Sequence, residues 1–465
     1  MSLCDVIIAS LPYVETQEPM MAPGLLKGVV HKANLSCRAL DLNIEILHKI
    51  NQYPGDSQTK VRRWFMYEEN QSCPDTTAII TTLVEYAGIR IKEHAASWIC
   101  LSLFCNTAKK FNILLCKWLR KNAPSSKIII GGNAVFSNEQ SQRPYARMLQ
   151  RARLIDYFVV GDGEEPLYNI LTGSVSGANI EDFQILNDLS IQPFGDYDDY
   201  NWQLYDRPRI PMYASRGCVR QCTFCDVHKL WKKFKLRNSD QVFEEMLYQI
   251  NRTGITEFFF RDSLINGSIS EFKKLMGLIA DYNKSAKTPI KWSSFFIFRP
   301  QKQMPEQDWE LAAQGGAGNL IIGVESLVDN IRYHMKKKFT NKDIDFGIEM
   351  AHKYNVNLVL LLIVGYVNET EADFQASLDW LEEHKQFAGK PIINISVGGT
   401  LTVTDLTDLY QNAQDFDIVL GDKIHLWENK KINLDYETRE RRKEQFISRA
   451  IELGYPIVYD EKPVS

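Results

Sequence analysis

Short apolar runs that end in glycine or a polar turn alternate with helix-patterned segments along most of this chain. That alternation restricts the fold more than any other feature of the sequence. In residues 1–175, DVIIASLP, CRALDLN, SWICLSLF, KIIIGGN and IDYFVVGDGEE read as strands, separated by helical patterns such as GLLKGVVHKA and KKFNILLCKWLRKN. This pattern predicts an α/β domain built on a parallel, doubly wound (Rossmann-like) sheet. Such sheets bind ligands at the carboxyl ends of their strands, which is where the glycines of this region fall.

Residues 176–208 lose the periodicity and are rich in Asp, Asn, Gly and Pro, the texture of a linker that packs through its aromatics. The alternation resumes over 209–400 with PMYASRG, ITEFFFRD, IKWSSFFIF, NLIIGVES, LVLLLIVGY and INISVGG, each run but the last followed by a helical pattern or a polar turn. About six β/α units of this kind predict a partial (β/α)6 barrel of the TIM type. Residues 401–465 carry mixed patterning and one charged helical stretch, YETRERRKEQFISRAIEL. They are expected to form a small C-terminal region, whose role the sequence does not indicate.

Composition narrows the functional classes. Lys+Arg total 54 against 58 Asp+Glu, a formal charge of −4. With no basic excess, neither nucleic acid nor an anionic membrane surface is expected as a partner. The longest apolar run, LVLLLIVGYV, has about half of the ~20 residues that a membrane helix needs, and no secretory signal is evident. A cytoplasmic protein with reduced thiols is expected. The cysteines agree: they number nine, an odd count, and none follows Cys225, which suits no disulfide framework.

Three of the nine stand together in RGCVRQCTFCD, where Cys218, Cys222 and Cys225 are spaced C-x3-C-x2-C directly after a strand. Three thiolates on one short loop suit three irons of a cubane cluster and leave the fourth iron open. A structural zinc site would want a fourth ligand, for which His228 is nearest. Downstream runs separate the two readings. KFKLRNSDQVFEEM, ITEFFFRDSLING, IKWSSFFIFRP, LIIGVESLVDNIRYHMKKKFT and LLLIVGYVNETEADF follow the loop in the order of a radical S-adenosylmethionine enzyme. The chain resembles that superfamily, departing from it where Val367 and Asn368 replace a Pro-Gly turn.

The resemblance implies a 4Fe–4S cluster on Cys218, Cys222 and Cys225, with S-adenosylmethionine chelating the open iron. One electron from a reductant such as flavodoxin or ferredoxin would then release a 5′-deoxyadenosyl radical. Glu325 and the backbone around Phe224 and Asp262 are implied to hold S-adenosylmethionine. Taken singly, Asp262 and Glu325 are also ordinary residues for a turn and a strand end. No side chain is nominated for catalysis at the substrate.

Residues 1–170 resemble the cobalamin-binding domain that often precedes the radical domain in one branch of the superfamily, through PGLLKGVVHKANLSCRALDLN, KIIIGGNAVF and IDYFVVGDGEEPL. The resemblance implies cobalamin as a cofactor, lined by Ser102, Gly131, Gly132, Gly161 and Gly163. Glycine admits a cofactor where a Cβ would obstruct it. The D-x-H-x-x-G motif that supplies an axial histidine elsewhere is missing, and the nearest histidine, His31, reads as a surface residue of a helix. Phe104 or Cys105 would stand close to the same pocket.

The expected function is therefore cobalamin-dependent methyl transfer to an unactivated carbon or phosphorus of an unknown substrate. Alternatives are a radical cyclisation or rearrangement, sulfur insertion of the methylthiotransferase type, and a non-catalytic iron–sulfur or cobalamin sensor. A methylthiotransferase would hold a second cluster on three N-terminal cysteines. Cys4, Cys37 and Cys73 have loosely similar gaps in unlike surroundings, and Cys100, Cys105 and Cys116 read with Cys4 and Cys37 as small buried hydrophobes. The basic run KLWKKFKLR, with Trp231 and Phe234 interleaved, reads mainly as a structural and solvated segment.

Overall fold

A computed structural model describes residues 3–14, 18–66, 74–135, 144–174, 180–389 and 392–458. The chain divides into two compact units, residues 1–211 with 249–255 and residues 212–248 with 256–463. Among the described residues no helix is long and apolar enough to cross a membrane.

The first unit is built on six strands: β1 (Val6–Ser10), β2 (Cys37–Asp41), β3 (Trp98–Ser102), β4 (Lys127–Gly131), β5 (Tyr157–Gly161) and β6 (Ile180–Gln184). Their order is β2-β1-β3-β4-β5-β6, and every pairing is parallel. Helices cover such a sheet on both faces, so central strands are apolar throughout rather than alternating; β1 is buried at all five positions. Val6, Ile8, Cys37, Cys100, Ile129 and Val159 meet Val30, Leu167 and Ile170 from the helices Met21–Lys32 and Glu164–Leu171 in one core. The chain turns from β2 on one side of β1 to β3 on the other, so a topological switch point lies between β1 and β3.

Within the stretch expected to be a linker, Ile180–Gln184 forms the edge strand β6, and residues 185–211 continue as a strap on the first unit. The Tyr200 hydroxyl donates to the Met20 carbonyl at 2.5 Å and the Tyr205 hydroxyl to Asp41 at 2.9 Å. Buried Lys27 pairs with Asp196 at 3.0 Å and Asp199 at 2.6 Å. The aromatics that suggested packing do pack.

In the second sheet, β7 (Ile210–Met212), β8 (Glu257–Phe260), β9 (Lys291–Phe296), β10 (Ala317–Glu325), β11 (Asn357–Leu362) and β12 (Ile393–Val397) lie side by side in chain order. The registers from β8 to β12 are parallel. Strands in chain order, joined by helices such as Ile269–Asn283 and Asn341–Lys353, are the arrangement of a partial (β/α) barrel. Leu401, Val403, Leu409, Ile418, Trp427 and Leu434 share a core with Ile331, Met335, Tyr366 and Val367, so residues 401–434 are part of the second unit. Residues beyond them cover the outer edge of β12, where Val458 N–H donates to the Ile395 carbonyl at 2.7 Å.

Candidate radical site and ligand edge

The three-cysteine loop begins where Ser215–Arg216 pairs antiparallel with Lys235–Leu236. Buried Asp262 fastens that strand: Ala214 N–H donates to one carboxylate oxygen at 3.0 Å and the Ser215 hydroxyl to the other. Burial pushes the Asp262 carboxyl up to about 6 against these two donors. The Asp262 side chain is thus consumed in holding the loop, and its backbone is what remains for a ligand. Arg237 completes the base, donating to the Tyr213 carbonyl at 3.0 Å and pairing with Glu245 at 2.6 Å.

The loop itself turns through Cys225 N–H donating to the Cys222 carbonyl at 3.1 Å. Fully buried Thr223 pins it from three directions. Its N–H donates to the Met335 carbonyl at 3.3 Å, its carbonyl accepts Leu409 N–H at 3.1 Å, and its hydroxyl lies 2.6 Å from that of Tyr366. The Phe224 ring meets Tyr366 edge-on at 6.5 Å, which fixes the backbone between Cys222 and Cys225.

Glu325 ends β10 in the left-handed region, φ +67°, at a register shift against β11. Its carboxylate accepts from Lys337 Nζ at 2.9 Å, and the same ammonium donates to the Gly323 carbonyl at 2.8 Å and lies 5.6 Å from the Phe224 ring centre. Lys337 therefore joins Glu325 to the cysteine loop. Arg220 and Arg299 stand near Cys218, and each has a buried Nε with no partner. Burial pushes all three thiols up, Cys225 to about 12, while Lys337 pulls against it at Cys218 and Cys222.

This donor set fits a cubane. Cys218, Cys222 and Cys225 stand on one short loop with the Lys337 ammonium beside it. A cubane places each thiolate on its own iron, so the sulfurs stay apart, and nearby cations offset the negative charge of cluster and thiolates. Sequence reasoning quoted the MKKK run but nominated neither Lys337 nor Thr223, Tyr366 and Arg220. The C-terminal contribution was unread as well: Asp408 binds Lys229 at 2.7 Å and Lys336 at 3.0 Å. The basic run is absorbed by structure in part, with Lys229 on Asp408, Arg237 on Glu245 and the Phe234 ring against Gly267, while Lys232 and Lys233 are exposed.

At the carboxyl edge of the first sheet, Asp41, Ser10, Ser102 and Gly131 occupy one registered row across β2, β1, β3 and β4. The row crosses the switch point. Ser10 is spent on Asp41 at 2.7 Å. At Gly131 a Cβ would meet nothing nearer than 3.8 Å and at Gly163 nothing nearer than 3.7 Å. Gly132 and Gly161 differ, because their φ angles are +102° and +90° and a Cβ would strike the Leu103 and Gln184 carbonyls. The fold itself demands those two glycines, so they carry no argument for a ligand. Gly131 and Gly163 leave room that packing does not require, which fits a cofactor tail, and Ser102 pairs in register with Gly131. Phe104 beside them is 52 % exposed, and Cys105 donates to the Tyr13 carbonyl at 3.2 Å. His31 lies in the helix Met21–Lys32, its side chain 44 % exposed, 3.6 Å from Asp196.

Residues 212–381 match the family described as the Radical SAM superfamily. Bacteriochlorophyllide d C-12(1)-methyltransferase of Chlorobaculum tepidum is 28 % identical over 232 residues, 48 % of each chain. Cytidylyl-2-hydroxyethylphosphonate methyltransferase of Streptomyces wedmorensis is 24 % identical over 246 residues, 48 % of this chain and 45 % of its own. The chain thus spans about half the length of these curated relatives. Among solved structures, the radical S-adenosylmethionine methyltransferase TsrM from Kitasatospora setae, with cobalamin and a 4Fe–4S cluster bound, superposes with a TM-score of 0.62. It is 14 % identical, and the match covers 97 % of this chain and 91 % of that one, a likeness of fold across both units. The part of the chain that is similar to that superfamily, residues 212–381, spans the cysteine loop and the strands from β8 to β11.

Proposed function

We propose that the chain is a cobalamin-dependent radical S-adenosylmethionine methyltransferase acting on an unactivated carbon or phosphorus of its substrate. The observation that carries this reading is the coexistence in one chain of the pinned three-cysteine loop and a doubly wound sheet with an open row at its switch point. A radical domain alone would serve many reactions. The open row at Ser102 and Gly131 is what favours methyl transfer among them. Residues 1–175 would bind the corrinoid, 176–208 would strap it, 209–400 would hold the radical site and 401–465 would cover it. The protein would work in the cytoplasm, drawing single electrons from a reductant such as flavodoxin or ferredoxin.

When bound, the cluster and S-adenosylmethionine supply a 5′-deoxyadenosyl radical and the corrinoid supplies the methyl group. The work of the chain is placement. Cys218, Cys222 and Cys225 would hold three irons. Thr223, Tyr366 and Asp262 keep the loop in one conformation, and Glu325 with the backbone at Phe224 and Asp262 would orient S-adenosylmethionine. Ser102, Gly131 and Gly163 would admit the corrinoid.

The methylthiotransferase alternative is disfavoured by placement within the first unit. Cys4 and Cys37 lie at the amino ends of β1 and β2, away from the carboxyl edge, and Cys37 is buried in the core. Cys73 lies outside the described residues.

Anaerobic reconstitution of the full chain tests the proposal. Four irons per chain, 5′-deoxyadenosine formed under dithionite and a bound corrinoid in the visible spectrum are expected. Cys222→Ala should lose most of the iron and all of the nucleoside. An intact cluster that yields no 5′-deoxyadenosine overturns radical chemistry, and eight irons per chain would restore the methylthiotransferase reading.

A further inference from the structure

Lys337 is a buried ammonium, its side chain only 9 % exposed, lodged between Glu325, the Gly323 carbonyl and the face of Phe224. The backbone is shaped to deliver it. Lys336 and Lys338 on either side adopt φ angles of +62° and +60°, a conformation that lysine seldom takes without compensation. Their own side chains remain outside: Lys336 reaches Asp408 at 3.0 Å and Lys338 is exposed. One lysine of a run of three is thus turned inward beside the cysteine loop. Burial works against its charge, yet Glu325 at 2.9 Å outweighs burial and holds the ammonium above its ordinary range.

Pairing with a single carboxylate is not the whole of this placement, because the same ammonium lies over the ring of Phe224, the residue between Cys222 and Cys225. We propose that Lys337 is a positioning charge for the iron–sulfur cluster, making it easier to reduce, with Glu325 as the counter-charge that moderates the effect. The inference rests on the cluster reading above. A cubane held by three thiolates is already anionic, and the one electron delivered by an external reductant makes it more so. A fixed cation nearby favours the reduced state over the oxidised one, whereas a fixed anion does the reverse. No bond forms or breaks at Lys337; the electron passes from reductant to cluster.

The test is an EPR-monitored redox titration of the full cluster-loaded chain without S-adenosylmethionine, using dithionite as titrant, on the wild type, Lys337→Met, Lys337→Arg and Glu325→Gln. For Lys337→Met the reduction equilibrium should fall at least tenfold, about 59 mV for a one-electron couple. Lys337→Arg keeps the charge and should stay near the wild type. Glu325→Gln should shift the midpoint upward, a change of sign that a merely structural role for Lys337 would not produce. Midpoints of Lys337→Met and Glu325→Gln that both match the wild type overturn the inference. Should Lys337→Met fail to load iron, an unmoved or lowered midpoint in Glu325→Gln is sufficient to overturn it. A wild-type chain that assembles no cubane overturns instead the reading on which the inference rests.

Discussion

Adjacent glycines in this chain do unlike things. Gly131 and Gly132 are neighbours in KIIIGGN, and a sequence pattern treats them as a pair. In the fold, a Cβ on Gly132 would run into the Leu103 carbonyl at φ +102°, whereas one on Gly131 would make only ordinary contact with Val159, 3.8 Å away. Gly132→Ala should therefore destabilise the first unit by on the order of 1–3 kcal/mol, the cost of a strained backbone position, seen as a lowered denaturation midpoint. Gly131→Ala should unfold with the wild type and yet lose corrinoid, measured by titration in the visible spectrum. If Gly131→Ala binds corrinoid unchanged, the open row is not the cofactor edge. The cysteine loop was legible at this scale because its three ligands are local and their spacing is their chemistry. Lys337 was not legible, because its meaning depends on two left-handed neighbours and on a carboxylate twelve residues away. In a run of three lysines, nothing in the sequence marks which one turns inward.

At the scale of elements, the strands with continuous apolar runs declared themselves and the polar edge strand did not. VIIAS, WICLS and KIIIG are apolar runs buried at their centres, whereas IEDFQ mixes apolar and polar residues, so a reading based on hydrophobic runs passes over it. Strand ends were read as turns with an acidic residue, but the task of the acid was hidden. Asp262 ties the end of β8 to the strand that launches the cysteine loop, through Ala214 and Ser215. Its carboxyl, held at about 6 by burial, lies above the value near 3.9 of the unfolded chain. Between those values the folded state keeps a proton that the unfolded state has released. The contribution to stability is full below about pH 4 and falls as pH rises through 6. Asp262→Asn cannot titrate and should remove that part of the pH dependence, while weakening the anchor because an amide offers one acceptor oxygen. Urea unfolding of both proteins at pH 4 and pH 7 checks this, and parallel changes in the two proteins would refute it.

For the molecule as a whole, the two-part α/β plan was legible because alternation of strand and helix survives any detail of packing. The tail was not, because residues 401–434 contribute single apolar side chains to a core assembled from distant segments. Leu401, Val403, Leu409, Ile418, Trp427 and Leu434 are each at most 8 % exposed in that core. A buried side chain of this kind contributes about 1.5–3 kcal/mol. Six of them together approach or exceed the 5–15 kcal/mol by which a domain is stable at all. The same segment supplies the Leu409 N–H that holds the Thr223 carbonyl and the Asp408 carboxylate that gathers Lys229 and Lys336. A chain ended after Gly399 should therefore lose more than a peripheral feature. It should bind a hydrophobic dye, unfold without a cooperative transition in its second unit, and load less than one cluster per chain under conditions that load the full protein. Corrinoid binding, which the proposal places in the first unit, should survive the truncation. A truncated chain that still unfolds cooperatively and takes up four irons would show that the (β/α) strands alone are enough to hold the cysteine loop.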